Sequence, residues 1–508
     1  LYDIGVTDNK LNLMHACDNE ARVSIKTPVG LTERVPVIKT VAQGDVNSTT
    51  KCTVSVNDIS EEHEKNLEDN LYKYKNSVPV PPLGMVDIGI ANVAYCGLDS
   101  ALATAHLNSQ TGLKNLQFGT EKCVKLHVGY KSIVCPDNYI DNWTLEKNKE
   151  TVSSVWDLQD KESGLHSIKE VTEWKYLGDI LTSNAKCDAN VRERVKRGTG
   201  ASLQVTQMLG DLCLGKFYFE AANILRSSLF LSSLISNSES WVNLNSKNIS
   251  DLEAVDTQLL RNFFAAQIST PKETLFLETG TIPVKYVIIS RRVHFLHYIL
   301  CEDENSLLSR FFSAQCSDPI KGDWASQVKK DLQFLNMTMS FEEIASYSKK
   351  SFKLLVKDSV RERAFNDLLK AQKGHSKGKE IVYKELGIQS YLKASSPLTT
   401  KEKLFLFSAR TRGLDLRNNF KQEKTDLRCW LCRSHMEDQP NILTCKALEA
   451  GGIEQLNYND IFSDNLERLT AMTKVLHKKY DNFILHVNRL ASQPSSSATV
   501  YDNLVDLE

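Results

Sequence analysis

Two stretches of the sequence gather side chains able to do chemistry. The stretch 429–445, CWLCRSHMEDQPNILTC, holds Cys429 and Cys432 with two residues between them, then His435, then Cys445. Soft thiolates with an imidazole at such spacing suit tetrahedral Zn²⁺. His435 follows Cys432 after only two residues, so the competing reading is a knuckle that has degenerated. The stretch 79–96, PVPPLGMVDIGIANVAYC, sets one carboxylate, Asp87, between two apolar runs. Carboxylate oxygens are the hard ligands that a cation such as Mg²⁺ prefers. The competing reading is an ordinary turn, whose geometry Asp tolerates.

A third kind of chemistry is phosphate binding. VRERVKRGTG, residues 191–200, places Arg192, Arg194, Lys196 and Arg197 within two helical turns. They read either as followers of a nucleic-acid backbone, which gives affinity without sequence choice, or as a solvated charged face. Arg291 and Arg292 carry the same two readings. Between Lys349 and Lys424 there are 19 Lys and Arg against 8 Asp and Glu, although the whole chain has a net charge of −1. Any nucleic-acid surface is therefore local. His294 and His297 sit three apart with no third ligand in view, which reads as packing.

The bulk composition is ordinary for a globular protein: 508 residues, 41% hydrophobic and 25% charged. No stretch qualifies as a membrane span; the most apolar, Phe217 to Ile235, is interrupted by Glu220 and Arg226. The 12 cysteines are mostly scattered singly, which suggests reduced thiols and an intracellular protein, in nucleus or cytoplasm. The chain begins at Leu1 without a basic-then-apolar leader, which reads as a cut through a longer protein.

The elements that must position these groups change in kind along the chain. Asn9 to Cys17 has helical spacing. Ala21 to Thr27, Val35 to Val41, Lys122 to Gly129 and Lys175 to Leu181 read as strands, and Glu61 to Asn70 as an acidic helical run. After about residue 190 the pattern turns helical. Ile289, Val293, Leu296 and Leu300, for example, fall on one helix face. The Ser-rich segment Gln493 to Ala498 reads as disordered.

Four pieces then occur in a fixed order: Gln43-Gly44-Asp45 after a strand, the acidic hairpin at Asp87, NLQFGTEKCVKLHVG at 115–129, and EWKYLGDIL at 173–181. In this order they resemble motifs B, C, D and E of reverse transcriptases, in particular those of non-long-terminal-repeat (LINE-type) retrotransposons. NSESW at 237–241 and the segment from Thr270 to Leu300 extend the likeness, which runs from about residue 20 to 300 with a weaker echo at 429–445.

The resemblance implies an α+β fold: a partial right-hand polymerase palm, an antiparallel sheet with helices, followed by a mostly helical thumb and C-terminal region. It divides the chain into partial fingers and palm (1–190), thumb and post-thumb helices (191–300), a basic helical region (301–425), a zinc knuckle (426–447) and a helical or disordered tail (448–508). It implies RNA-directed DNA synthesis on an RNA template and a DNA primer. Two metals ~4 Å apart activate the primer hydroxyl and neutralise pyrophosphate. Asp87 is then the surviving motif C ligand for Mg²⁺, and Lys122 lies near the triphosphate. Gln43 and Gly44 adjoin the nucleotide or template. Tyr176, Leu177 and Gly178 form the primer grip.

The chain also departs from the family. Asn47-Ser48-Thr49-Thr50-Lys51 is polar where the family has an apolar helix, and Asn441 stands near the place of the knuckle histidine. Gly84-Met85-Val86-Asp87 is followed by Ile88, not by a second Asp. Motif A is expected before Leu1. With one of three carboxylates, the chain alone is expected not to polymerise DNA, and the hairpin to form with Ile88 in place of the second acid. The rival expectation is a non-catalytic nucleic-acid-binding remnant.

Overall fold

A computed structural model describes residues 169–212, 214–416, 427–445 and 457–491, with short strand segments between residues 22 and 167. The chain divides into two units. One is Leu1–Trp174, Thr182–Ala185 and Asn305–Ala314; the other is Lys175–Leu181, Lys186–Glu304 and Gln315–Glu508. The described residues are mostly helical with small, mainly antiparallel two-stranded sheets, an α+β composition.

In the first unit the described strands pair two by two. Arg22–Val23 pairs with Val35–Pro36, and Lys26–Thr27 with Gly30–Leu31. Leu83–Met85 runs antiparallel to Ile88–Ile90, with Met85 opposite Ile88 and Leu83 opposite Ile90. The hairpin expected around residue 87 therefore pairs despite the single acid. Asp87 itself lies outside the described residues, as do Gln43, Gly44, Lys122, the helices expected at 9–17 and 61–70, and the Ser-rich 493–498. Val124–Leu126, inside the strand expected at 122–129, pairs in parallel with Lys169–Val171.

The strand expected over 175–181 is two strands. Glu173–Tyr176 and Asp179–Thr182 form a hairpin. Its turn residues Leu177 and Gly178 have φ of 46° and 93°, the positive pair that a two-residue hairpin turn needs to match strand twist. Gly adopts this conformation freely; Leu does so at a cost of about 1–2 kcal/mol.

The second unit is built on helices. They are α1 (Asp188–Asp211), α2 (Tyr218–Leu225), α3 (Leu231–Leu234), α4 (Ser246–Phe264), α5 (Lys272–Thr279) and α6 (Val284–Cys301), with α7 (Leu307–Ser317) beginning in the first unit. There follow α8 (Trp324–Phe334), α9 (Phe341–Ser346), α10 (Lys349–Gln372), α11 (Thr400–Arg410), α12 (Gln439–Thr444) and α13 (Leu466–Ala491). Each long helix has a buried stripe at helical spacing. In α10 the stripe is Phe352, Val356, Val360, Ala364 and Leu368. In α6 it includes Ile289, Val293 and Leu296, as the periodicity predicts, while Leu300 is half-buried. Helix starts follow local chemistry: Asn245 caps α4, Ser348 caps α10, and Thr399 with Glu402 makes a capping box on α11.

Gly280 ends α5 at φ 66°, and a Cβ there would lie 2.2 Å from the Gly387 carbonyl carbon. Both the turn and the close approach demand glycine. A wide π-turn, Arg226–Phe230, follows α2 and carries Arg226 inward. Its guanidinium bonds both oxygens of Asp256, at 2.7 and 2.6 Å, and the Ile282 carbonyl at 3.0 Å.

Candidate metal centre and basic face

The cysteine site is assembled by a short hairpin and a helix. Arg428 and Met436 form an antiparallel bridge. The Cys429 N–H donates to the His435 carbonyl at 2.7 Å, and the Glu437 N–H to the Leu427 carbonyl at 2.7 Å. Between them the chain turns tightly, with the Arg433 N–H on the Cys429 carbonyl at 3.0 Å and Arg433 at φ 56°. Cys429 and Cys432 stand at the two ends of this turn. Asp438 then caps α12 through the Asn441 N–H at 3.0 Å, and α12 delivers Cys445 back to the pair.

The sulfurs of Cys429, Cys432 and Cys445 all lie within 4.8 Å of one another. Three thiolates on one tetrahedral zinc stand about 3.8 Å apart, given Zn–S bonds of about 2.3 Å. The donor set and its spacing fit zinc, with a fourth position left for another ligand. Cys429 and Cys445 are buried and Cys432 half-buried. Burial pushes the Cys429 thiol up to about 11, while the hydroxyl of Ser434 beside Cys432 holds that thiol down at about 6. Lys479 of α13, also buried, donates to the Leu443 carbonyl at the end of α12.

His435 corrects the expected four-ligand set. Its carbonyl faces Cys429, its side chain is exposed, and it is not part of the close cluster. Three residues after Cys432, the chain has already turned onto the returning side of the hairpin. Asn441, near the expected histidine position, donates its side-chain amide to the Met436 carbonyl at 3.0 Å and so closes the knuckle.

The second site is the corner of the 173–182 hairpin and α1. Arg194 donates one Nη2 to the Gly178 carbonyl at 3.2 Å and to Asp179 at 2.9 Å. Asn237 donates to the other Asp179 oxygen at 2.5 Å, and the Ile180 N–H to Asn190 at 2.5 Å. These bonds bolt the turn Tyr176-Leu177-Gly178 to the start of α1. Tyr176 is half-buried, and burial raises its phenol above the usual range.

The four basic residues of α1 therefore divide. Arg194 is 4% exposed and serves the hairpin, which corrects its expected place on a phosphate-following face. Arg197 pairs with Glu193 at 2.9 Å. Arg192 and Lys196 lie on the exposed face, continued by Thr199 and Leu203 at the same spacing. Arg291 and Arg292 turn inward: Arg291 donates to the Ile235 carbonyl, and Arg292 to Asp331 and the Trp241 carbonyl. His297 packs against Phe352 and bonds the Tyr347 carbonyl at 2.9 Å. Lysines of α10 supply a further exposed set: Lys349, Lys350, Lys353 and Lys357.

Two supporting residues carry little signal in the sequence. Ser434 is signalled by its place two residues after Cys432; Lys479, 36 positions from Leu443, has no local signal. Among the described residues no helix is long and apolar enough to cross a membrane. No protein-family model and no curated protein matches the chain.

Proposed function

We propose that the chain is a fragment of an RNA-directed DNA polymerase of the LINE type, inactive in nucleotide addition by itself, whose remaining activity is to hold an RNA template and a DNA primer. The observation that carries this is the corner of the hairpin and α1. A glycine-tipped turn is bonded through Arg194 to α1, and the opposite, exposed face of the same helix carries Arg192 and Lys196. Such a face neutralises backbone phosphates, and the turn offers an uncharged contact, Leu177, 46% exposed, for the strand end.

Nucleotide addition asks for more. Two Mg²⁺ ions need several carboxylate oxygens between them. Asp87 would hold one ion, with Lys122 toward the triphosphate and Gln43 and Gly44 at the nucleotide, but Ile88 follows where a second acid is needed. The three-cysteine centre is the zinc knuckle of this reading, with three protein ligands in place of four.

Fluorescence anisotropy with a labelled RNA–DNA hybrid tests the proposal. Binding should weaken steeply with salt. Replacing Arg192 and Lys196 together by Ala should weaken it about tenfold and lower the salt slope by about 2. The absence of salt-dependent binding would reject the nucleic-acid role. Magnesium-dependent primer extension that is lost in Asp87→Ala would reject the inactivity.

A further inference from the structure

α4 and the start of α5 border an open cleft of about 420 Å³ that takes no part in the sites above. Ser250, Ala254, Thr257 and Arg261 line one wall at the spacing of a single helix face; Lys272 and Glu273 line another. The small side chains leave the space, and Arg261 reaches over it.

Two of its buried polar groups have no partner among the described residues. Thr257 is 3% exposed, and its hydroxyl has no partner among the described residues. A helical threonine ordinarily turns its hydroxyl to a carbonyl one turn back. The Arg261 Nε–H is likewise buried and unpartnered. Among the described residues only Nη2 of that guanidinium is engaged, at a long 3.3 Å to the Ile268 carbonyl and 3.4 Å to that of Thr270.

α5 adds a third kind of donor. Its N-cap is Pro271, and no side chain caps the helix. The first-turn N–H groups at the positive end of the helix dipole thus have no side-chain cap, and Pro271, Lys272 and Glu273 of this helix start line the cleft.

The acids nearby are already engaged. Glu253 pairs with Lys272 at 2.8 Å and Glu273 with His375 at 3.1 Å. Among the described residues Arg261 has no carboxylate partner, and Lys377 donates to a neutral hydroxyl of the cleft wall, Ser269, at 2.8 Å. The missing partner is an anion with acceptors in several directions. A carboxylate would satisfy the guanidinium fork alone. A phosphate has oxygens for the fork, the Thr257 hydroxyl and the helix N–H groups together.

We propose that this cleft binds a phosphate monoester, with the phosphate between Arg261, Thr257 and the start of α5. The volume exceeds what a bare phosphate fills, so the esterified alcohol also lies within the cleft. Ile268, 87% exposed at the mouth, gives that part an apolar lip. The same chemistry is offered by a free nucleotide and by the terminal phosphate of a nucleic-acid strand.

Isothermal titration of the full chain, at fixed ionic strength in chloride, tests this with inorganic phosphate and with adenosine 5′-monophosphate. Saturable one-to-one binding is expected, tighter for the nucleotide. Arg261→Met should weaken it about tenfold or more, and Thr257→Val should weaken it less. Glu253→Gln should tighten it, because it removes a negative charge and releases Lys272. If Arg261→Met fails to fold, Lys272→Met at the exposed rim should still weaken binding. A 5′-phosphorylated oligonucleotide that outbinds its dephosphorylated twin identifies a strand end as the source; equal binding of the twins, with nucleotide bound, identifies the free nucleotide. No saturable binding of phosphate or nucleotide at tens of millimolar, or wild-type affinity in both Arg261→Met and Lys272→Met, would overturn the proposal.

Discussion

Arg226, Arg292 and Arg410 of the helical body are buried against Asp256, Asp331 and Glu278, at 2.6, 2.6 and 3.1 Å. Each also donates to a carbonyl of a distant segment, at Ile282, Trp241 and Ile461. In the cysteine knuckle, Cys429 and Cys445 are buried as deeply, yet their sulfurs face each other and Cys432. The body supplies a carboxylate for each of these three guanidiniums from its own chain. The knuckle gathers three thiols, whose ionised forms repel one another unless a cation lies between them. The ion pairs of the body are complete within the chain; the knuckle offers three sulfurs that a metal ion would complete.

The largest effect that separates the two is removal of one buried charge from the body. Asp256→Ala leaves the Arg226 guanidinium buried without its carboxylate, which costs about 3–5 kcal/mol. Denaturant unfolding should record that loss equally with and without a chelator. Replacing both partners, Arg226→Met with Asp256→Leu, should restore much of it, since a buried pair is worth little against apolar groups of similar size. A loss below about 1 kcal/mol in Asp256→Ala would mean that the body does not depend on its internal charges.

The next effect is confined to the knuckle. Zinc should bind at one ion per chain, and chelation or Cys429→Ser should lower the local opening free energy of 427–445 by about 3 kcal/mol or more. Hydrogen exchange should show those amides losing protection while α4 and α6 keep theirs. Unchanged protection of 427–445 without metal would erase the contrast. Its footing on the body is the Lys479 contact with Leu443 and the Tyr458 hydroxyl on Gln439 at 2.6 Å, so the hinge of any opening lies at α12.

What the sequence reveals depends on how far apart the partners are. The cysteine trio lies within 17 positions and is visible by spacing, and the stripe of α6 by its period. The exclusion of His435 is not visible, because it follows from which carbonyl faces Cys429. Arg194 and Arg192 differ only in helix phase: Arg194 shares the buried stripe of Val191, Gly198, Ala201 and Val205, a distinction the local run of charges conceals. The ion pairs of the body join residues 30, 39 and 132 positions apart. No local pattern announces them, since neither partner has a periodic reason to be there. The break at residues 177–178 was signalled only by Gly178, as Leu177 is not a turn residue by type.

That leucine gives the smallest and most discriminating test. Leu177 holds φ 46° while 46% exposed, so its side chain neither relieves the strain nor fills the core. Leu177→Gly removes an unfavourable conformation worth about 1–2 kcal/mol but adds about 0.5–1 kcal/mol of unfolded-chain entropy. The net change should be neutral to about 1 kcal/mol stabilising, measured by unfolding. If the turn contacts a nucleic-acid strand, the same variant should bind the hybrid more weakly although it is at least as stable. Loss of affinity without loss of stability would mark Leu177 as a contact retained against its backbone cost. Unchanged affinity would leave the exposed basic stripe of α1 to carry the binding alone and reduce the hairpin to a buttress for Arg194.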